Sequence, residues 1–316
     1  MKNRIFLAGI ILVIPFISFA QDQINRSFSG IKKIRMNTAS GDCKIQKSTN
    51  ASVTVNLTHT YSDSGYKPSV QQEGDRLVIK ENFDRGNHNG NSTWTISVPD
   101  NIDITFNTGS GNLEAGGLNL TMDITTGSGD LFFTDMKGTI DGTTGSGNVE
   151  LDNVNGKIKT NTGSGNIRVT KSKGEISVNC GSGDVKLTDS QAMFNANTGS
   201  GDIAGRNVIL DGSSRFNTGS GTAEVVLGAT PKYDLSVNSG SGDAELNFNG
   251  NEVKGEIVMK ASKKHGKIIA PFEFDKTEEN TDNGYDNTTI EKTVVKGNGT
   301  NKIYVGTGSG TATLKQ

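Results

Sequence analysis

The chain has 316 residues, of which 41 are glycine, and its formal net charge is −2. Only 32% of the residues are hydrophobic, which is low for a compact globule of this length but sufficient for a fold with a thin core. Nearly balanced charge without a basic stripe argues against binding to nucleic acid.

At the N-terminus, Lys2 and Arg4 precede an apolar run from Ile5 to Phe19, and Ser18-Phe19-Ala20 reads as a cleavage site. These features predict a secretory signal peptide at 1–20. The mature chain, 21–316, is then expected to be exported, into the periplasm, onto the cell surface or into the medium. No later apolar run is long enough to span a membrane.

Residues 31–45 and 51–59 alternate apolar and polar side chains and read as strands, as do 77–79 and 94–98. Polar excursions are expected at 61–68 and 82–91. Pro99 ends the last of these strands.

From residue 109 a Gly-Ser-Gly motif recurs. Copies begin at Gly109, Gly127, Gly145, Gly163, Gly181, Gly199, Gly219 and Gly240, and the first six keep an 18-residue period. A ninth begins at Gly308, and Ala39-Ser40-Gly41-Asp42 is a degenerate copy. The unit Gly163–Cys180 divides into GSGNIRVTK and SKGEISVNC. Both halves place apolar residues at alternate positions after a glycine, the pattern of a strand with one buried face. The glycines are expected to supply turn conformations closed to other residues.

Two short strands and two turns per unit predict an all-β fold, a β-solenoid (β-helix) with 18-residue rungs. It should hold ten or more rungs, be ~50 Å or longer at the usual strand spacing, and be right-handed by crossover chirality. Regular repeats are expected over about 105–250, with looser capping rungs at 24–104 and 251–316. A helical fold is excluded by the glycine content.

Three columns follow from the period. The residue before Gly-Ser-Gly is Thr108, Thr126, Thr144, Thr162, Cys180, Thr198, Thr218, Ser239 or Thr307. It shares parity with the buried positions and should point inward. The residue before that is usually Asn and should form a hydrogen-bonded ladder. The residue after the motif is mostly Asp or Asn and should bond its own turn. Cys43 falls in an inward apolar column and Cys180 in the Thr column. At least five rungs, ~24 Å, should separate them, too far for a disulfide.

Beyond the ladder, 256–259, 267–274, 294–296, 302–305 and 311–314 read as strands, and 276–287 as a charged loop.

Several chemistries can be weighed. The nine-residue half-repeats invite comparison with calcium-binding β-rolls, but the Asx position is shifted, half of those positions are Asn or Thr, and Lys137, Lys157 and Lys173 face the opposite turns. A flat ice-binding face would need two outward Thr columns, and only one inward column is present. Asp141, Lys159, Ser177 and Asn195 share one outward column and read as a solvated face. His59, His88 and His265 fall in separate predicted loops. No cofactor, metal site or catalytic set is expected.

The early Ser-Gly-Asp rung, Ser-Val-Pro-Asp-Asn at 97–101 and the repeated Thr-Gly-Ser-Gly-Asp/Asn resemble bacterial β-strand-repeat proteins labelled adhesins, and are similar to the head GIN domains. The resemblance spans 22–316. It implies an envelope-exposed β-helical protein without established catalytic residues, which binds a cell-surface polysaccharide or other polymer, or an envelope protein. A structural or signalling scaffold is the alternative. Aromatic anchors for a partner are expected on the irregular flanks, at Tyr61, Tyr66, Trp94 and Tyr285. Phe272 and Phe274 alternate within a predicted strand and read as core.

Overall fold

A computed structural model describes residues 23–61, 65–86, 89–281 and 288–316. The expected signal peptide lies outside the described residues. The described chain contains 29 strands and no helix. The β-solenoid is present as expected.

One rung shows the rule. Asn119–Thr126 forms a broad strand, Gly127–Asp130 turns, Leu131–Thr134 forms a narrow strand, and Asp135-Met136 turns back into Lys137–Thr144. Broad strands stack in register on one face, with Ile140 beside Ile158 and Ile176. Narrow strands stack on the other, where Val149, Ile167 and Val185 form one column. Side chains from both faces meet in a core one layer deep. Leu131, Phe133, Ile140, Val149 and Ile167 are all buried there. Each such side chain contributes ~1.5–3 kcal/mol of transfer free energy.

Stacking order departs from chain order at both ends. Ala39–Asp42 lies directly against Gly109–Asn112, where Gly109 N–H donates to Ala39 O at 3.0 Å and Asn112 N–H to Asp42 Oδ1 at 2.8 Å. Those residues are 70 positions apart. At the other end Gly308 N–H donates to Gly240 O at 3.0 Å, and Thr307 pairs with Ser239. The degenerate first motif and the ninth copy are therefore continuous with the regular ladder, and the intervening segments fold outward as caps. On the broad face twelve parallel strands run from Arg76–Lys80 through Lys33–Thr38 and the ladder to Lys302–Thr307 and Gly255–Ser262. That is a stack of ~53 Å at the usual spacing.

Antiparallel strands close the ends. Ser69–Glu73 edges the broad face at the N-terminal end, and Gln23–Phe28 and Val53–His59 extend the narrow one. Thr288–Lys296 and Lys276–Thr281 close the C-terminal end of the broad face. The expected charged loop at 276–287 is thus corrected over its first six residues, which form a fully exposed strand. An outer edge strand needs no apolar alternation, and its charges discourage further pairing. The expected strand 267–274 is confined to Lys267–Ile269.

The glycines of the two turns differ: Gly138, Gly156 and Gly174 adopt positive φ as expected, whereas the motif glycines do a different task. None of the Gly-Ser-Gly glycines has positive φ. Their requirement is steric, because a Cβ on Gly129 would run into the carbonyl oxygen of Gly111 in the rung below. Left-handed backbone occurs instead in the opposite turn, at Asp135, Asn153, Lys171, Asp189 and Asn207, with φ of 50–54°. Asx side chains tolerate that region. Two of them also donate to the rung below, Asn153 Nδ2 to Asp135 Oδ1 and Asn207 Nδ2 to Asp189 Oδ1.

The three polar columns hold the rungs together. Thr162 is buried; its hydroxyl donates to Gly147 O in the rung below at 2.8 Å and accepts from Gly165 N–H of its own turn at 3.1 Å. Cys180 makes the same two contacts through sulfur. The Asn ladder is continuous from Asn161 through Asn179, Asn197 and Asn217 to Asn238, each amide donating to the oxygen below at 3.0 Å. The Asx residues after the motif bond between rungs rather than within their turns. Asp184 Oδ1, for example, accepts from Asp202 N–H at 2.9 Å. Cys43 lies beside Leu113 in the inward column, and both cysteines are free and buried.

Candidate functional site

Three of the four nominated aromatic residues converge at the N-terminal cap, and all three are interior. Ser92 and Trp94 alternate inward along Ser92–Val98, and Trp94 is 0% exposed. Tyr61 and Tyr66 are also buried, with ring centroids 4.3 Å apart in a stacked arrangement. His59 packs edge-on against Tyr66 at 4.7 Å, and Phe83 meets both tyrosines. The expectation that 61–68 presents its tyrosines to solvent is corrected here. Aromatic burial outweighs the polarity of the neighbouring residues.

Glu81 organises this cluster. Its Oε1 accepts from Tyr66 OH at 2.9 Å, Trp94 Nε1 at 2.9 Å and Ser92 Oγ, while Oε2 accepts from Ala39 N–H at 3.0 Å. In the ladder that turn amide bonds the carbonyl of the rung below, as Gly127 N–H does to Thr108 O. Glu81 replaces that missing carbonyl at the end of the turn column. Burial, then the Glu81 charge, pushes the Tyr66 phenol well above its usual range. Burial likewise raises the Cys43 thiol, with Asp42 and Glu81 adding to it. A carboxylate so fully occupied by protein donors has a structural role.

Tyr285 and His88 lie outside the described residues. Phe272 and Phe274 are half-buried against the core with centroids 5.7 Å apart, and Lys296 and Lys292 lie over their rings. His59 ends a strand rather than sitting in a loop, and His265 lies in a turn. Asp141, Lys159, Ser177 and Asn195 do form one outward column, and Lys159 pairs with Asp141 at 3.2 Å. Among the described residues no three His, Cys, Asp or Glu side chains come close enough to hold a metal ion.

The open surface with the most varied chemistry lies elsewhere. On the outer side of the broad face two depressions of about 370 and 330 Å³ lie side by side along the stack and share Ser213 and Arg215. Met193 and Glu175 border the lower one; Tyr304, Lys302 and Asp234 border the upper one. The Asn ladder enters the upper depression at Asn217 and Asn238. Ser213, whose side chain is short and exposed, lines both depressions.

The depressions lie where the period breaks. Motif copies at Gly199, Gly219 and Gly240 are 20 and 21 residues apart. The extra residues form the Asp211–Ser213 turn and the Gly228–Asp234 loop, and Tyr233 is exposed on that loop. Arg215 is exposed, and no ion pair reaches it among the described residues. Glu175 pairs with Lys157 at 3.6 Å, and Asp234 Oδ1 accepts from Lys302 N–H at 2.8 Å. Sequence reasoning missed this site, although the lengthened spacings were its signal.

Fold and columns together define a β-solenoid repeat protein of the Gly-Ser-Gly type. The chain belongs to the Toastrack DUF4097 family, whose profile matches residues 31–270. Among solved structures it is similar to a protein of Parabacteroides distasonis named a candidate lipid-binding protein. Identity is 18%, with 73% of this chain and 90% of that one covered and a TM-score of 0.44. It is also similar to a candidate adhesin of the same species, at 12% identity, with 93% and 98% covered and a TM-score of 0.38. A candidate adhesin of Bacteroides fragilis matches at 12% identity over 93% and 98%, with a TM-score of 0.31. No curated protein matches the chain.

Proposed function

We propose that this chain is a non-enzymatic, exported cell-envelope protein that uses its solenoid as a rigid adhesive surface for an envelope polymer or partner protein. The observation that carries the reading is the use made of the repeated polar side chains. Thr hydroxyls, Asx oxygens and Asn amides are hydrogen-bonded to their equivalents in neighbouring rungs. They maintain the stack instead of converging on a reacting atom, as a catalytic constellation must. What the stack offers is a long, pre-organised face, and recognition on rigid scaffolds commonly uses their irregular segments. The signal peptide expected at 1–20 supports export.

The test is cell fractionation with N-terminal sequencing, joined to an attachment assay on a deletion strain. The reading expects an exported form beginning at Gln21, and weaker attachment without the gene. A cytoplasmic chain that retains Met1, or unchanged attachment, overturns it.

A further inference from the structure

We infer that the paired depressions around Arg215 bind an acidic polysaccharide, a chain of sugar units bearing carboxylates, laid along the stack axis. The inference rests on the adhesive reading above and gives it a site and a ligand class.

Three observations converge. The first is charge. Arg215 stands between the two depressions without a counter-ion among the described residues, whereas the carboxylates lie at the two ends, Glu175 paired with Lys157 and Asp234 held by the Lys302 backbone N–H. A guanidinium fork matches a carboxylate bidentately. The second is the end of the Asn ladder. Each amide donates downward, and Asn238 Nδ2 gives its hydrogens to Asn217 Oδ1 at 3.0 Å and Ser236 Oγ at 2.6 Å. The next position in the column is Gly306, which has no side-chain amide to donate. Asn238 Oδ1 is therefore left as an acceptor for a ligand hydroxyl.

The third is shape. A Cβ at Gly306 would come within 2.6 Å of Tyr304 Cε1 and 2.8 Å of Asn238 Oδ1. The glycine thus admits the Tyr304 ring beside the free acceptor. An apolar ring face next to a few placed polar groups suits the mixed surface of a sugar.

Affinity electrophoresis of the exported chain tests this, in gels containing polygalacturonate, neutral dextran or polyglutamate. Polygalacturonate should retard the wild type, and dextran and polyglutamate should not. Arg215→Ala should weaken retardation at least tenfold and Arg215→Lys should restore only part of it. Arg168→Ala, on the opposite face where Arg168 pairs with Glu150 at 3.7 Å, should change it less than twofold. Because Arg215 is exposed, its loss leaves the fold intact, which circular dichroism checks. No retardation by polygalacturonate, equal losses for the two arginines, or equal retardation by polyglutamate overturns the assignment. If the wild type still binds isolated envelopes in any of those cases, the adhesive reading stands and only the ligand class falls. If envelope binding is absent as well, both fall.

Discussion

The indole Nε1 of Trp94 donates to Glu81 Oε1 at 2.9 Å, and this contact ties the only tryptophan of the chain to the residue that ends the turn column. A carboxylate with four protein donors becomes a junction on which strand, turn and aromatic cluster depend. Replacing Glu81 by Leu leaves Ala39 N–H, Tyr66 OH, Ser92 Oγ and Trp94 Nε1 without their acceptor. The expected loss is at least ~1–3 kcal/mol, the cost of one unsatisfied buried donor. Urea unfolding followed by Trp94 fluorescence measures it, and the emission should shift to the red.

Alkaline pH should weaken the same cap. Burial and Glu81 raise the Tyr66 phenol above its unfolded pKa, so the native state keeps a proton that the unfolded state loses. Its stabilising contribution is full below pH ~10 and declines as pH rises beyond that. Cys43 acts in the same direction from pH ~9. Tyr66→Phe should flatten the fall in urea midpoint above pH ~10, and Cys43→Ala the part that begins near pH ~9.

In the Thr column the hydroxyl matters more than the methyl. Thr162→Val removes the acceptor of Gly165 N–H and the donor to Gly147 O, for an expected ~1–3 kcal/mol. Thr162→Ser should cost clearly less, since Ser239 makes both contacts in its own rung. Thermal melts of the two variants give the comparison.

The Asx column should be indifferent to charge. Asp130, Asp184 and Asp202 each supply one oxygen to the next rung's amide, and Asn supplies the same oxygen at 148 and 166. Replacing the three aspartates by Asn should leave the melting temperature nearly unchanged, with or without calcium. A large drop seen only in calcium would assign these turns to the metal.

Glycines of different origin should respond differently. At Gly156 φ is +149° and a Cβ would strike the Gly138 carbonyl, so Gly156→Ala should cost more than ~3 kcal/mol. Gly74 has φ of +64° with open space around it, and Gly74→Ala should cost only ~1–2 kcal/mol of backbone strain. Chemical denaturation of both variants separates the two causes.

Much of the fold was legible because each column repeats a physical requirement. Thr162 and Asn179 show their roles by recurrence, and Cys43 and Cys180 fall in the columns their parity assigns. Recurrence does not say which rungs touch when the period is interrupted. The contact between Ala39 and Gly109 spans a stretch with no period, and only the degenerate motif hinted at it. Tyr61 and Tyr66 were misplaced because the residues around them are polar, while their burial comes from Phe83, brought in from another segment, and from His59 at the end of the preceding strand. Lys276–Thr281 carries no apolar alternation because a solvated outer strand needs none. The depressions around Arg215 were hidden for a related reason: they arise from two lengthened rungs, and Met193, Ser213, Arg215 and Tyr304 follow no repeat.

The most direct test of the architecture is the distance between Ser241 and Ser309, which occupy equivalent exposed positions in the eighth and ninth motif copies. Spin labels at Ser241→Cys and Ser309→Cys, with Cys43 and Cys180 replaced by Ala, report it through dipolar broadening. Direct stacking of Gly308 on Gly240 predicts strong broadening from sites one strand spacing apart, ~4.8 Å between backbones. Narrow, non-interacting spectra would mean that the segment 251–300 lies between these rungs, and would contradict the continuous ladder.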